Sequence, residues 1–296
     1  MAGAKTRPGG ISNARIVCPH CDAYAMLNHT FCHLPGIGAA NERRLWRHGL
    51  LSWHDWPYGK RLPIALGAVN RHDAEALLRR SEEALAAADA GFFAGLLKSH
   101  QSWRLFFNFR RHAAYLDIET SGLGRDAEVS VVTLYDGVAA RRYVNGENLN
   151  DFADDVAGYA VLISYGGRRF DVPFLERALA IRLPQAQIDL CPVLHSLGYR
   201  GGLKKIERAL GISRGPLQGV DGLTAVYLWR RYQESGDRRF LETLSAYNFA
   251  DTVNLERLMF IACQIKLAVT PFVDEFTAQP PPAPDNPYQV YRQCLP

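Results

Sequence analysis

Four acidic residues and one tyrosine stand where they could do chemistry together. Asp117 and Glu119 lie in YLDIETSGL, two positions apart on text that reads as a strand. Residues i and i+2 of a strand point to the same face, so the two carboxylates sit side by side. They repel each other, and burial raises that cost; a divalent cation removes it. A solvated strand end would also accommodate a D-x-E pair. Asp171 follows an apolar strand and a Gly-Gly turn in ISYGGRRFDVPFL, at a helix start with Pro173 in the first turn. It is either a ligand or a helix N-cap. Tyr247 and Asp251 fall four apart in SAYNFADTVNLERLM, which puts both on one face of a helix. A core tyrosine beside a capping or paired aspartate fits that segment equally well. Hard oxygen donors of this kind suit Mg²⁺ or Mn²⁺ better than softer ions.

These side chains need elements to carry them. AAYLDIE (113–119), EVSVVTLYD (128–136) and RRYVN (141–145) read as short strands separated by Gly/Asp turns. A helix follows over 149–158, then a buried-type strand AVLISY (160–165), a helix from 174 to 181 and a fifth strand QIDLC (187–191). Helical text runs from Leu203 to Lys266, broken at 211–222 and 235–237. The order βββαβαβ followed by helices predicts an α/β fold, an RNase H-like mixed β-sheet flanked by helices. That domain is expected over residues 101–270. A small helical region precedes it over 26–100, and residues 1–25 read as a flexible leader. Residues 277–296 hold six prolines and are expected to be a disordered tail.

In their order and spacing the three acidic segments resemble the DEDD superfamily of 3′→5′ exonucleases. That family carries D-x-E on its first strand, an Asp after Phe or Tyr at a helix start, and, in its DEDDy variant, Y-x-x-x-D on a late helix. This chain reads DIE, FD and YNFAD in that order. WRLFFNF, IDLCPVLHSLGYRGGLKKIERALGISR, YNFADTVNLERL and TFCHLPGIG resemble the YprB-like branch, so the resemblance covers roughly residues 27–268. One departure is Gly166, five residues before Asp171, where the superfamily often has Asn; it bears on substrate positioning and removes no ligand. The resemblance implies hydrolysis of single-stranded DNA or RNA ends, with DNA slightly favoured, by two Mg²⁺ or Mn²⁺ ions. Asp117 would bridge both ions, Glu119 and Asp251 would complete the water-activating position, and Asp171 would hold the second ion. Tyr247 would orient the attacking water; with an ordinary pKa near 10 it is a poor free base. Leu123 resembles the residue that wedges against the terminal base, although a core leucine fits as well. A catalytically silent RNase H-like binding module is the alternative function, and an adaptor using the Pro-rich tail is a third.

The net charge is only +4, but residues 1–111 hold 15 Lys+Arg against 8 Asp+Glu, and residues 112–296 hold 19 against 22. A basic front beside an acidic back fits a nucleic-acid grip next to a carboxylate site. It fits a merely solubilising surface too. LPGIG with its following basic helix resembles part of a helix–hairpin–helix. There Gly36 and Gly38 would let a phosphate approach backbone N–H groups, with Arg43, Arg44 and Arg47 adding charge. A packing turn is the other reading. Arg168, Arg169, Lys204 and Lys205 are phosphate candidates or a solvated basic face. Cys18 and Cys21 with Cys32 and His33 make a weak zinc pattern, because adjacent Cys32 and His33 would struggle to reach one ion. The six cysteines make no disulfide framework. No apolar run is long enough for a membrane span, and a cytoplasmic protein is expected. The sequence names no protein partner.

Overall fold

The computed structural model describes residues 26–62, 70–124, 126–276 and 282–296. The leader over 1–25, with Cys18 and Cys21, lies outside the described residues. A five-stranded sheet has the order β3-β2-β1-β4-β5. Its strands are β1 (Ala113–Thr120), β2 (Val129–Tyr135), β3 (Ala140–Val144), β4 (Val161–Ser164) and β5 (Ala186–Asp189). β1 pairs antiparallel with β2 and parallel with β4, so the sheet is mixed, as expected.

Among the described residues ten α-helices accompany it. Four come before the sheet: α1 (Ala39–Arg47), α2 (Arg71–Ala86), α3 (Ala90–Leu96) and α4 (Leu105–Phe109). The others are α5 (Phe152–Val156), α6 (Asp171–Leu179), α7 (Leu190–His195), α8 (Leu203–Ala209), α9 (Gly222–Ser235) and α10 (Arg238–Leu267). Asn70 caps α2 by accepting the His72 N–H at 3.0 Å.

Strand alternation decides what faces what. Ala114, Leu116 and Ile118 enter one core with Val172 and Leu175 of α6 and Phe152 of α5. Ala113 and Tyr115 enter the core on the other face, with α7 and the second half of α10. Asp117 and Glu119 continue that second row toward the C-terminal end of β1. The 30-residue α10 lies across β1 and β2 and is buried around most of its circumference. Such a helix should be apolar all round. Instead it buries Ser245, Asn248, Asp251, Thr252 and Asn254, which marks where polar work is done.

The front region is tied on by a buried ion pair. Arg104 Nη2 meets Glu42 Oε2 at 2.5 Å, and Glu42 Oε1 accepts the N–H groups of Phe31 (2.7 Å) and Cys32 (3.1 Å). His33 is buried against Ser81 at 3.1 Å, and Cys32 lies against the Arg104 guanidinium. The LPGIG turn leads into α1, with Gly36 at φ +78°. A single 3-10 turn (Met26–His29) stands where a helix–hairpin–helix would have its first helix. Residues 282–296 run without regular structure to a 3-10 turn at Arg292–Cys294, and they are not loose. Asn286 Nδ2 donates to Ala246 O at 2.8 Å, the Tyr291 N–H donates to Thr243 Oγ1 at 3.1 Å, and Cys294 is buried. Composition predicts disorder here, and packing along α10 overrides it for this part of the tail.

Candidate metal centre

Three carboxylates from two sequence-distant segments converge at the end of β1. Asp117, Glu119 and Asp251 each offer an oxygen, and these oxygens lie within 4.8 Å of one another. Asp117 and Glu119 are half-buried and Asp251 is buried. Their order follows from the two local periods: period 2 puts Asp117 and Glu119 on the α10 side, and α10 turns Asp251 back toward them. Burial first, then the charge of Asp251, pushes the Asp117 carboxyl up to about 7. Burial, then Asp117 and Asp251, holds Glu119 well above the usual carboxylate range.

Asp171 stands beside these three. Burial, then the charges of Asp117 and Asp189, raises it as well. It is the first residue of α6, and no side chain caps that helix, so capping does not explain its burial. The Gly-Gly turn fits around it. Gly166 has φ +77°, and its N–H donates to Asp189 Oδ1 at 2.7 Å. A Cβ on Gly167 would fall 2.3 Å from Ser164 Oγ and 2.5 Å from Asp171 Oδ2. Only glycine leaves that carboxylate its place.

Cations occupy the opposite wall. Lys204 Nζ and Arg214 Nη2 both pair with Asp251. Arg214 Nη1 also donates to Glu207 Oε2 at 2.8 Å, and Asn254 Nδ2 donates to Glu207 Oε1 at 2.8 Å. Burial works to lower the Arg214 pKa, but Asp251 and Glu207 hold it above the usual guanidinium value. Tyr247, one turn before Asp251, is buried with Lys204 Nζ 4.4 Å and Arg214 Cζ 5.1 Å from its ring centre. Burial, then the charges of Asp251, Glu119 and Asp117, raises its pKa, so the phenol keeps its proton. Asn248 Nδ2 donates to Asp117 Oδ2 at 2.8 Å and fixes that carboxylate.

This donor set fits a hard divalent cation. It is all carboxylate oxygen, and burial and mutual repulsion raise the pKa values of Asp117, Glu119 and Asp171.

A sequence model of the RNase H superfamily matches residues 114–263, more than half of the chain. The chain belongs to the RNase H superfamily. The matched stretch of this RNase H superfamily member runs from β1 through most of α10 and contains Asp117, Glu119, Asp171, Tyr247 and Asp251. Among solved structures it is similar to the family B DNA polymerase from the hyperthermophilic archaeon Pyrobaculum calidifontis. The identity is 12% and the TM-score 0.35, over 52% of this chain and 29% of the polymerase chain. No curated protein matches it.

The remaining candidates of this RNase H superfamily chain fall in three places. Leu123 is 86% exposed just beyond β1, which excludes a core leucine. Arg168 and Arg169 are exposed on the turn before Asp171, and Lys205 is exposed on α8. Lys204 is not a free phosphate ligand, because Asp251 engages it. Gly36, Gly38 and Arg43 are exposed at the start of α1, on the front region. Sequence reasoning missed Asn248, Arg214 and Glu207. The signal for Asn248 was its place one residue after Tyr247 in a helix otherwise destined for the core. Arg214 and Glu207 gave none. Among the described residues no helix is long and apolar enough to cross a membrane.

Proposed function

We propose that this chain is a metal-dependent 3′→5′ exonuclease of the DEDDy type, close to the YprB-like branch, acting on single-stranded ends and on DNA somewhat better than RNA. One observation carries this reading. Carboxylates from the first strand and the last long helix meet within 4.8 Å at an electrostatic cost that the fold does not need for its own packing. Asp117, Glu119 and Asp251 would hold one Mg²⁺ or Mn²⁺, and Asp117 with Asp171 a second. Such a pair of ions stabilises charge on the attacking and leaving oxygens of a phosphodiester.

The chain's own residues do the positioning. Asn248 sets the Asp117 rotamer, and the Glu207–Arg214 pair orients Asp251. Tyr247 keeps its proton, so it serves as a hydrogen-bonding group and not as a base. Leu123, 86% exposed just beyond β1, offers an apolar side chain that can press against a terminal base. Arg168 and Arg169 lie next to Asp171 and can take phosphates.

A second reading has one observation in its favour. Lys204 and Arg214 already neutralise Asp251, as they would in a silent domain that binds nucleic acid without cutting it. Incubation with Mg²⁺ or Mn²⁺ and 5′-labelled single-stranded DNA or RNA separates the two. A ladder that shortens from the 3′ end and disappears in Asp117→Ala supports the exonuclease. Binding without shortening supports the silent module, and release of the 5′ label as a mononucleotide refutes the polarity.

A further inference from the structure

We propose that Arg43, Lys266, His100, Lys98 and Arg168 form one phosphate-binding track that leads a single-stranded nucleic acid from the front helix to the carboxylate cluster. The track rests on the nuclease reading only for which end of the strand reaches the carboxylates.

A hydrogen bond, a shared electrostatic environment and a shared cleft link its members. Arg168 lies three residues before Asp171, and its Nη1 donates to Ser99 Oγ at 3.5 Å. That bond ties the turn carrying Asp171 to the 3-10 segment Ser99–Arg104 of the front region. Lys98 and His100 flank Ser99. Burial, then Lys266, Lys98 and Arg104, holds the His100 pKa below its usual value, so three cations crowd this imidazole. Lys266, at the end of α10, donates to Ser196 Oγ at 2.7 Å. It lines a cleft of about 80 Å³ together with Arg43 of α1. The series therefore draws on four segments far apart in the sequence.

Its charge is left unbalanced. Among the described residues, none of these five side chains is in an ion pair. At the β3 edge of the sheet, by contrast, Arg141, Arg142 and Arg238 all pair with carboxylates. Glu42, the one acid in the cleft, is buried and spent on Arg104 and two backbone N–H groups. Four cations outside any ion pair, with the His100 imidazole among them as a hydrogen-bonding group, end at a carboxylate cluster and suit a flexible polyanion whose backbone is gripped and whose terminus is delivered to the acids. The basic front region, set against the acidic remainder, thereby acquires a role that a solubilising surface lacks.

Fluorescence anisotropy with labelled single strands of about 4 to 20 nucleotides, in EDTA, measures the track apart from any cleavage. The wild-type protein should bind longer strands more tightly and lose affinity steeply with salt. Lys98→Glu and Lys266→Glu should each weaken the longest strand on the order of tenfold and flatten the log K against log salt slope by about 0.7. Arg182→Glu is the control: that side chain is 89% exposed, pairs with Glu176 and sits at the opposite end of β5. If the two track variants behave like Arg182→Glu, the track does not exist. Because Lys98 is exposed, its variant remains informative even if Lys266→Glu misfolds. Strand binding that depends on the track, without any shortening in Mn²⁺, would keep this inference and remove the nuclease reading. Shortening that is indifferent to both substitutions would do the reverse.

Discussion

Asp117→Asn should make the metal-free protein more stable while abolishing its response to metal. The side chain keeps its shape, and its amide oxygen can still accept from Asn248 Nδ2. What disappears is one charge from a crowded cluster. Moving a carboxyl from 3.8 to about 7 corresponds to roughly 4 kcal/mol of cost for the ionised form. Asp117 is only half-buried, so water screens part of that, and about 2 kcal/mol should be recovered. For a chain of this size that raises the melting temperature by about 4 °C. The pH dependence has a definite sign. The folded pKa lies above the unfolded one, so this group's contribution is fully present below pH 3.8 and is lost as pH rises through about 7. The variant's advantage should therefore be largest at pH 8 and shrink toward pH 4. Thermal melts in EDTA across that range, repeated with Mn²⁺, provide the assay. Mn²⁺ should raise the wild-type melting temperature at pH 8 and leave the variant unchanged. A variant that melts at or below the wild type at pH 8 in EDTA, or that Mn²⁺ stabilises equally, would refute the argument that these acids are held together for a cation.

Four other substitutions test the surroundings. Gly167→Ala forces a Cβ to within 2.3 Å of Ser164 Oγ and 2.5 Å of Asp171 Oδ2; overpacking of about 1–3 kcal/mol is expected, with weaker Mn²⁺ binding by calorimetry. Arg214→Met strands Glu207, which is fully buried, and should cost about 3–5 kcal/mol in urea unfolding. Adding Glu207→Leu should recover much of that loss, and a double variant no better than the single would show that the triad is not the cause. Leu123→Ala should leave stability within about 0.5 kcal/mol, because the side chain is 86% exposed. The same variant should slow digestion of single strands, and unchanged digestion kinetics would remove its wedge role.

Much of the architecture was written in local pattern. The strands and the breaks at Gly211 and Gly236 follow from apolar alternation and from turn residues that no other element tolerates. The alternatives left open at Asp171 and Leu123 were open for a reason: an aspartate at a helix start and a leucine after a strand look the same whether they face solvent, core or a neighbouring acid. Burial without a cap removes the N-cap reading of Asp171, and exposure removes the core reading of Leu123. The Pro-rich tail shows the opposite failure. Its composition opposes regular structure but says nothing about docking, and Tyr291, Asn286 and Cys294 find partners on α10 and its surroundings.

By itself the sequence determined that Asp117 shares a face with Glu119, and Tyr247 with Asp251, because strand and helix periods are properties of the backbone. Only the tertiary structure decided that the two pairs meet and that Asn248 grips Asp117 across 131 residues. It alone decided that Lys204 and Arg214 turn onto Asp251 instead of toward solvent. Those contacts depend on the sheet order and on how α10 is rotated over β1. Both are set by the summed packing of three hydrophobic clusters, which no short stretch of residues encodes.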